Sequence, residues 1–197
     1  GVQGLYSKQD LEKLEEQSST IQQAVIEGGG LIGIELAEML HSRGIEVTFL
    51  VREQHFWNNV IADSESRMIE QHMQEHGIDL RLATSLKEIC DDENGKVEAI
   101  ITEDGERIAC QFVGLTAGVR PNVDFLGATA LEINRGIVVD EFLQTNLTDV
   151  YAIGDCAELR QPQPHRRAIE AVWYVGRMMG ETLAFSLSGH KTRYTPS

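Results

Sequence analysis

The chain carries one stretch whose residue types and spacing suit the binding of a phosphate-containing ligand. It reads AVIEGGGLIGIELAEML from Ala24 to Leu40, and Gly28, Gly30 and Gly33 complete the pattern G-x-G-x-x-G. Glycine at the first position allows a tight turn, at the second it admits a pyrophosphate to the main chain, and at the third it lets helix and strand pack closely. The candidate dinucleotide-binding residues are Gly28, Gly29, Gly30, Ile32 and Gly33. A glycine-rich turn without a ligand is the alternative.

The residues around these glycines predict the strand and helix that must position them. Ala24–Ile26 end an apolar run typical of a buried strand, and apolar residues then recur at helical spacing from Ile34 to Leu40. Gly44 is predicted to end that helix. The N-terminus of such a helix presents unpaired N–H groups and the positive end of its dipole, so it favours phosphates.

The next strand, predicted over 45–51, completes a β-α-β unit and bears on the choice of coenzyme. In such units an acidic residue after the second strand binds the ribose of NAD, whereas an arginine nearby suits the 2′-phosphate of NADP. The strand ends at Val51, and Arg52 and Glu53 follow it. Arg52 is therefore a candidate contact to NADPH, Glu53 favours NADH, and the choice stays open.

Other reactive side chains do not form a recognisable site. His72 and His76 are four residues apart on a helix predicted to run from about Asp63 to Gly77, but no third ligand of a suitable type is nearby, so no metal site is predicted. Cys90, Cys110 and Cys156 are far apart and lack the C-x-x-C spacing of a redox dithiol. An aromatic loop over 52–59 is predicted to pack on the edge of the core.

Composition excludes several classes of partner. The 197 residues are 42% hydrophobic and 24% charged, which is typical of a globular protein. A net charge of -14 disfavours nucleic acid and anionic membrane surfaces as partners. The chain has no apolar run of the roughly 18 residues that a membrane-spanning helix needs, and its first residues do not form a signal peptide. The cytoplasm is the predicted location.

The second half of the chain predicts a small meander and then a carboxylate at the end of a strand. Asn94-Gly95 and Asp104-Gly105 are hairpin signals, and the segment QFVGL after them is predicted to return to the main sheet. Two short strands are predicted over 137–139 and 150–153, with a helix beginning in the following CAEL. Gly154 and Asp155 then lie at the carboxyl end of a strand, where ligand hydroxyls bind in open sheets.

Three of these segments together resemble the FAD-dependent pyridine nucleotide-disulfide oxidoreductase superfamily. GGGLIGIELAE is similar to its NAD(P)H-binding turn, LTAGVRPN to the glycine motif that links its two cofactor domains, and TNLTDVYAIGDCAE to its second FAD motif. The resemblance implies that Glu35 lies near the nicotinamide and that Asp155, beside Gly154, binds the ribityl hydroxyls of the flavin. It also marks Gly118 as a cofactor-site residue. A helix-terminal role is the alternative for Glu35 and Asp155.

The resemblance implies an α/β fold with a Rossmann-like NAD(P)H-binding domain and a meander, followed by part of an FAD-binding α/β domain. We expect a connector over 1–19, the NAD(P)H domain over 20–116 and the C-terminal portion of the FAD domain over 117–197, without the N-terminal FAD half. The implied function is hydride transfer from NAD(P)H to FAD and onward to an unidentified acceptor. A non-catalytic nucleotide-binding or redox-sensing module is the alternative, a disulfide reductase is a second alternative among enzymes, and pairing of two copies stays open.

Overall fold

The computed structural model describes residues 1–58 and 60–196, so Asn59 of the predicted aromatic loop and the last residue of the chain lie outside it. The strands are β1 (Val2–Gln3), β2 (Gln23–Glu27), β3 (Glu46–Val51), β4 (Asp79–Leu82), β5 (Leu86–Asp91), β6 (Val97–Thr102), β7 (Arg107–Ala109), β8 (Phe112–Leu115), β9 (Ile137–Val139) and β10 (Ala157–Leu159). The helices are α1 (Lys8–Ser18), α2 (Leu31–His41), α3 (Asp63–Glu75) and α4 (Trp173–Leu187).

The chain divides into one unit over Gly1–Gly118 and a second from Val119 onward. In the first unit, five strands form a parallel sheet in the order β1-β8-β2-β3-β4, and β5, β6 and β7 form an antiparallel meander. The predicted α/β class, the parallel sheet, the meander and the return of the chain to the sheet in β8 are thereby confirmed. The edge strand β1 lies where the sequence led us to expect a connector.

Alternate side chains of the central strands build a core on each face of this sheet. Ile26, Phe49 and Phe112 pack with residues of the three helices, while the neighbouring Val25 and Leu50 pack with the meander. This alternation follows from the two-residue period of a strand. The sheet is therefore covered on both faces, which leaves the ends of its strands as the places where a ligand can approach the main chain.

Helices α2 and α3 end as their sequences predict. Gly44 and Gly77 both adopt positive φ, at 76° and 84°, which glycine tolerates without strain. After α2, the N–H of Ile45 donates to Leu40 O and that of Gly44 to His41 O, and an equivalent pair follows α3. These are the bonds of a Schellman motif, and they turn the chain directly into β3 and β4.

The second unit contains a smaller parallel sheet, β9 with β10, and the helix α4. Two predictions for its secondary structure are wrong. Residues 150–153 form one isolated bridge through Tyr151 instead of a strand, and CAEL contributes to β10 instead of a helix. Residues 150–153 bond the loop that precedes them, since the N–H of Ala152 donates to Leu143 O and Val150 O accepts the N–H of Thr145. CAEL lies beside β9 because the buried carboxylate of Glu158 accepts the N–H groups of Arg135 and Gly136.

Candidate functional site

The glycine turn lies at the carboxyl end of β2, where the order of the sheet changes direction. From β2 the chain passes through α2 to β3 and β4 on one side, whereas β8 and β1 lie on the other side. Such a switch point leaves a crevice outside the carboxyl ends of the strands, and this crevice is where open α/β sheets bind ligands. The fold therefore brings the predicted turn to the expected edge of the sheet.

Gly28 and Gly33 are explained by the protein itself. Gly28 has a φ of 122°, and a Cβ there would lie 2.6 Å from the carbonyl carbon of Thr116. A Cβ on Gly33 would lie 2.2 Å from the carbonyl oxygen of Gly28, because α2 packs directly against the turn. Gly29 is also confined, since its Cβ would lie 2.9 Å from Val51 Cγ1. These residues make the turn tight and hold the helix close to the strand.

Gly30 has no such explanation within the protein. Its φ of -101° and ψ of -177° are open to any residue, and a Cβ placed on it meets no atom within 4 Å. All 18 glycines of the chain lie in the described part, and Gly30 alone combines an ordinary backbone conformation with open space around the missing side chain. The space that this glycine leaves is therefore outside the protein, where a ligand would approach.

Helix α2 begins directly after this open position. Gly30 is its N-cap residue, and no side chain in the described part of the chain caps the helix there. The first turn, in which Ile32 is half-buried, therefore presents N–H groups and the positive end of the dipole at the crevice. An anion is the ligand that this arrangement favours.

Thr116 fixes the shape of the turn and was not singled out from the sequence. It is buried, its N–H donates to Glu27 O at 2.8 Å, and its Oγ1 lies 2.9 Å from Glu27 O and 3.2 Å from Gly28 O. These bonds join the end of β8 to the end of β2 across the switch point. The signal available in the sequence was its position in LTAG, immediately after an apolar strand.

The residues that follow β3 lie on the other side of the turn. Arg52 has a side chain that is 79% exposed, and its Nη2 lies 2.9 Å from Glu53 Oε1. The carbonyl oxygen of Glu53 accepts the N–H of Ala83, which holds this segment against the end of β4. The two candidate contacts to the ribose are thus paired with each other, and the geometry does not choose between NADH and NADPH.

The other members of the predicted site in this unit lie on α2 and after β8. Glu35 is exposed in the second turn of α2, so the alternative that it stabilises the helix as a first-turn acid is wrong. Gly118 has a φ of 113° and ends the first unit. Both positions belong to elements that begin or end at the crevice.

Glu27 is a half-buried carboxylate immediately before the glycine turn, and sequence reasoning also missed it. Its Oε2 accepts the N–H of Leu86 at 3.2 Å. Burial raises the pKa of Glu27, and nearby Glu53 raises it further, while the bond from Leu86 and the charge of Arg52 lower it. The net effect is a raised pKa, so the ionised form is disfavoured at this position.

The aromatic loop after β3 packs on the core, as predicted. Phe56 is buried, with its ring centroid 6.0 Å from that of Phe49, and Trp57 stacks on Phe56. A second anchor is Glu70 on α3, whose carboxylate accepts the Phe56 N–H at 2.7 Å and lies 3.3 Å from His55 Nδ1. The loop that follows Arg52 is therefore held to both the sheet and α3.

The second motif is built differently. Gly154–Cys156 form a short 3-10 turn in which Gly154 has a φ of 77° and Asp155 is exposed. The N–H of Gly154 points at Met179 Sδ at 3.3 Å, and a Cβ on Gly176 would lie 3.5 Å from Gly154 Cα, so α4 packs against this turn. Ile153 takes the cap position, and the alternative that Asp155 caps a helix is therefore wrong.

No group of three His, Cys, Asp or Glu side chains that could hold a metal occurs in the described ranges. The rings of His72 and His76 are 4.1 Å apart, and His76 Nδ1 lies 2.8 Å from His72 O. Burial raises the pKa of the Cys110 thiol to about 11, which keeps it protonated and unreactive near neutral pH. Among the described helices, none has the length and apolar character needed to cross a membrane.

Comparison with known proteins places this geometry in a family. A family model described as pyridine nucleotide-disulphide oxidoreductase matches residues 1–179. The rubredoxin-NAD(+) reductase of Ectopseudomonas oleovorans is 32% identical over 162 residues, which are 82% of this chain and 42% of that protein. The rhodocoxin reductase of Rhodococcus erythropolis is 30% identical over 98% of this chain and 45% of its own length.

The solved structure of a ferredoxin reductase for the CYP199A2 system of Rhodopseudomonas palustris has a TM-score of 0.90 and 25% identity, over 97% of this chain and 47% of that one. This likeness confirms the predicted fold class. In each of the three comparisons, the chain spans less than half the length of the other protein. The family uses FAD and a nicotinamide nucleotide, as predicted. Because the match over residues 1–179 includes both glycine motifs and the segment between them, the chain belongs to the pyridine nucleotide-disulphide oxidoreductase family.

Proposed function

We propose that the chain serves an NAD(P)H-dependent flavoprotein oxidoreductase, with residues 20–116 as the NAD(P)H-binding domain and 117–197 as part of the FAD-binding domain. The observation that carries this proposal is Gly30, whose missing side chain leaves open space at the start of α2 while its backbone conformation needs no glycine. A pyrophosphate is the ligand whose approach to the main chain requires that space. When both cofactors are bound, the nicotinamide supplies a hydride and the flavin accepts it.

The residues of the chain bind and orient these groups. The N–H groups in the first turn of α2 donate to the pyrophosphate, and Thr116 holds the turn in the shape that allows it. Arg52 and Glu53 compete for the ribose at the end of β3. Glu35 lines the nicotinamide end, and Asp155 accepts hydrogen bonds from the ribityl hydroxyls. Family membership supports these last two roles.

We further propose a small electron-carrier protein as the acceptor, and the cytoplasm as the location. The names of the rubredoxin-NAD(+), rhodocoxin and ferredoxin reductases support such an acceptor. A redox-sensing or nucleotide-binding module without catalysis is the competing function. Reduction of the flavin by NAD(P)H in the complete enzyme separates the two, because a module that only binds the nucleotide leaves the flavin oxidised.

The test of the binding site is Gly30→Val, measured by calorimetric titration with NADH and NADPH. A branched side chain at the open position would displace the pyrophosphate from its N–H donors, each worth about 1.5 kcal/mol or more, so affinity should fall on the order of 100-fold. The melting temperature should fall by no more than about 4 °C, because the added Cβ meets no protein atom within 4 Å and the loss is that of a favourable N-cap residue, about 1 kcal/mol. Unchanged affinity in a folded variant would contradict the assignment.

Gly33→Ala is the matched control from the same turn. Its Cβ would lie 2.2 Å from a backbone oxygen, so the helix must move and the variant should lose on the order of 3 kcal/mol of unfolding free energy. The two variants together separate a glycine that the fold requires from one that the ligand requires.

A further inference from the structure

Tyr6 is an exposed aromatic residue that the fold nevertheless holds in one position. The residue is 55% exposed, its hydroxyl donates to Leu115 O at 3.1 Å, and Gly118 O lies at 3.4 Å as a second acceptor. At the other end of the residue, its N–H donates to Asp10 Oδ2 at 2.9 Å. The main chain at Gly4 also makes room for it, since a Cβ there would lie 2.1 Å from Tyr6 Cε2.

Packing in the core does not explain this arrangement, because more than half of the surface of Tyr6 is exposed. Asp10 itself is fixed, as it accepts the N–H groups of Tyr6 and Ser7 while Ser7 caps α1. The segment thus holds the tyrosine in one position at the edge of the sheet, with more than half of its surface exposed. An ordered aromatic face beside a ligand crevice suits a flat ligand group.

The position of Tyr6 selects which half of the dinucleotide it would meet. Leu115 pairs with Glu27, the residue before the glycine turn, so Tyr6 lies at the carboxyl edge of β8. Arg52, at the end of β3, lies on the opposite side of β2. Because the residues after the second strand of the β-α-β unit bind the adenosine ribose, the pyrophosphate leads away from them, toward β8 and the nicotinamide end.

We propose that the ring of Tyr6 forms one wall of the nicotinamide subsite and packs face to face with the nicotinamide ring. This inference rests on the proposed function of the first unit. The oxidised nicotinamide carries a positive charge, and an aromatic face attracts a cation. Tyr6 should therefore favour the oxidised coenzyme over the reduced one, while its hydroxyl, bound to Leu115 O, sets the orientation of the ring.

Calorimetric titration of Tyr6→Ala and Tyr6→Phe with NAD⁺, NADH and ADP-ribose tests this proposal. Tyr6→Ala should weaken NAD⁺ about fivefold and NADH less, while ADP-ribose, which lacks the nicotinamide, should bind within about twofold of the wild type. Tyr6→Phe keeps the ring but loses the bond to Leu115 O, so its affinity for NAD⁺ should lie between those of the wild type and Tyr6→Ala. Tyr174→Ala removes a tyrosine that is 70% exposed on α4 and serves as the matched control.

A second measurement detects the contact directly. The nicotinamide protons of NAD⁺ should move upfield on binding to the wild type and to Tyr6→Phe, because they lie over an aromatic ring, and the shift should be lost in Tyr6→Ala. Equal weakening of NAD⁺ and ADP-ribose by Tyr6→Ala, or no weakening of either, would overturn the proposal. If the wild-type chain binds neither ligand, it is the proposed function that fails.

Discussion

The turn at Gly28–Gly33 lies in a five-stranded parallel sheet with a covered core on each face, whereas the turn at Gly154–Cys156 precedes a strand of a two-stranded sheet. The second unit also exposes large aromatic side chains, such as Phe125 at 75% and Trp173 at 68%. The first motif is thus held by its own unit through Thr116 and the contacts of Gly28 and Gly33. The second motif has fewer strands around it, and the carboxylate of Asp155 is exposed to solvent.

The two units also differ in charge. The first has 22 acidic and 9 basic residues, while the second has 9 and 8. An anionic coenzyme would therefore bind in the first unit against the net charge of the unit, so the local N–H groups and helix dipole must outweigh the more distant carboxylates. Such dominance is expected, because contacts within hydrogen-bond distance are screened much less than charges beyond about 8–10 Å.

Flavin retention is the largest difference that this comparison predicts. The 197-residue chain has one G-x-G-x-x-G, and we assign it to NAD(P)H. In the proposed function Asp155 would hold only the ribityl hydroxyls and not the pyrophosphate of FAD, so the chain should bind NAD(P)H and lose FAD on desalting. An absorbance scan after incubation with FAD measures this. A stoichiometric flavin band in the desalted protein would contradict this predicted difference between the two units.

Loss of the Thr116 hydroxyl should affect both stability and binding, since it links the fold of the first unit to its turn. Thr116→Val leaves the carbonyl groups of Glu27 and Gly28 without this donor and should cost about 1–2 kcal/mol of unfolding free energy. NADH affinity should fall about tenfold as the turn loosens. Urea unfolding and calorimetric titration measure the two effects.

Thr102→Val is the control for this variant, because Thr102 is equally buried but bonds Asp104 and Glu106 in the meander. It should lose similar stability and no coenzyme affinity. A coenzyme affinity that falls equally in both variants would show that general destabilisation, and not the link to the glycine turn, explains the loss.

The sequence predicted the first unit in more detail than the second for a physical reason. Strand, turn and helix from Ala24 to Gly44 are determined by local patterns, since hydrophobic period, glycine positions and the helix end all lie within one β-α-β unit. The contact of Thr116 with Glu27 joins residues 89 positions apart and that of Tyr6 with Leu115 residues 109 positions apart, and no local pattern specifies them. In the second unit, the strand at CAEL depends on the distant bond from Gly136 to Glu158.

Arg52→Ala should change the affinity for NADPH and that for NADH unequally, by a smaller factor than the roughly tenfold effect expected for Thr116→Val. If Arg52 leaves Glu53 to bind a 2′-phosphate, its loss should raise the Kd for NADPH about fivefold, with little change for NADH, because an exposed charge pair contributes on the order of 1 kcal/mol. Arg67→Ala, an exposed arginine on α3, is the control. Equal effects on the two coenzymes would contradict a role for Arg52 in the choice between them.

The smallest predicted effect is a pH dependence of stability that originates at Glu27, beside the glycine turn. Burial raises the pKa of Glu27 in the folded chain, so between the unfolded and folded values the folded chain binds more protons than the unfolded one. Stability from this residue is therefore complete below the unfolded pKa, about 4.3, and falls as pH rises through the raised folded value.

Glu27→Gln keeps an oxygen to accept the Leu86 N–H but cannot ionise. Its melting temperature should match the wild type near pH 4 and exceed it by about 1–2 °C at pH 8, measured by thermal unfolding across that range. Glu38→Gln, at an exposed position on α2, should show no such trend. If the difference between Glu27→Gln and the wild type shrinks as pH rises, the carboxylate stabilises the turn in its ionised form, and burial is then not its dominant interaction.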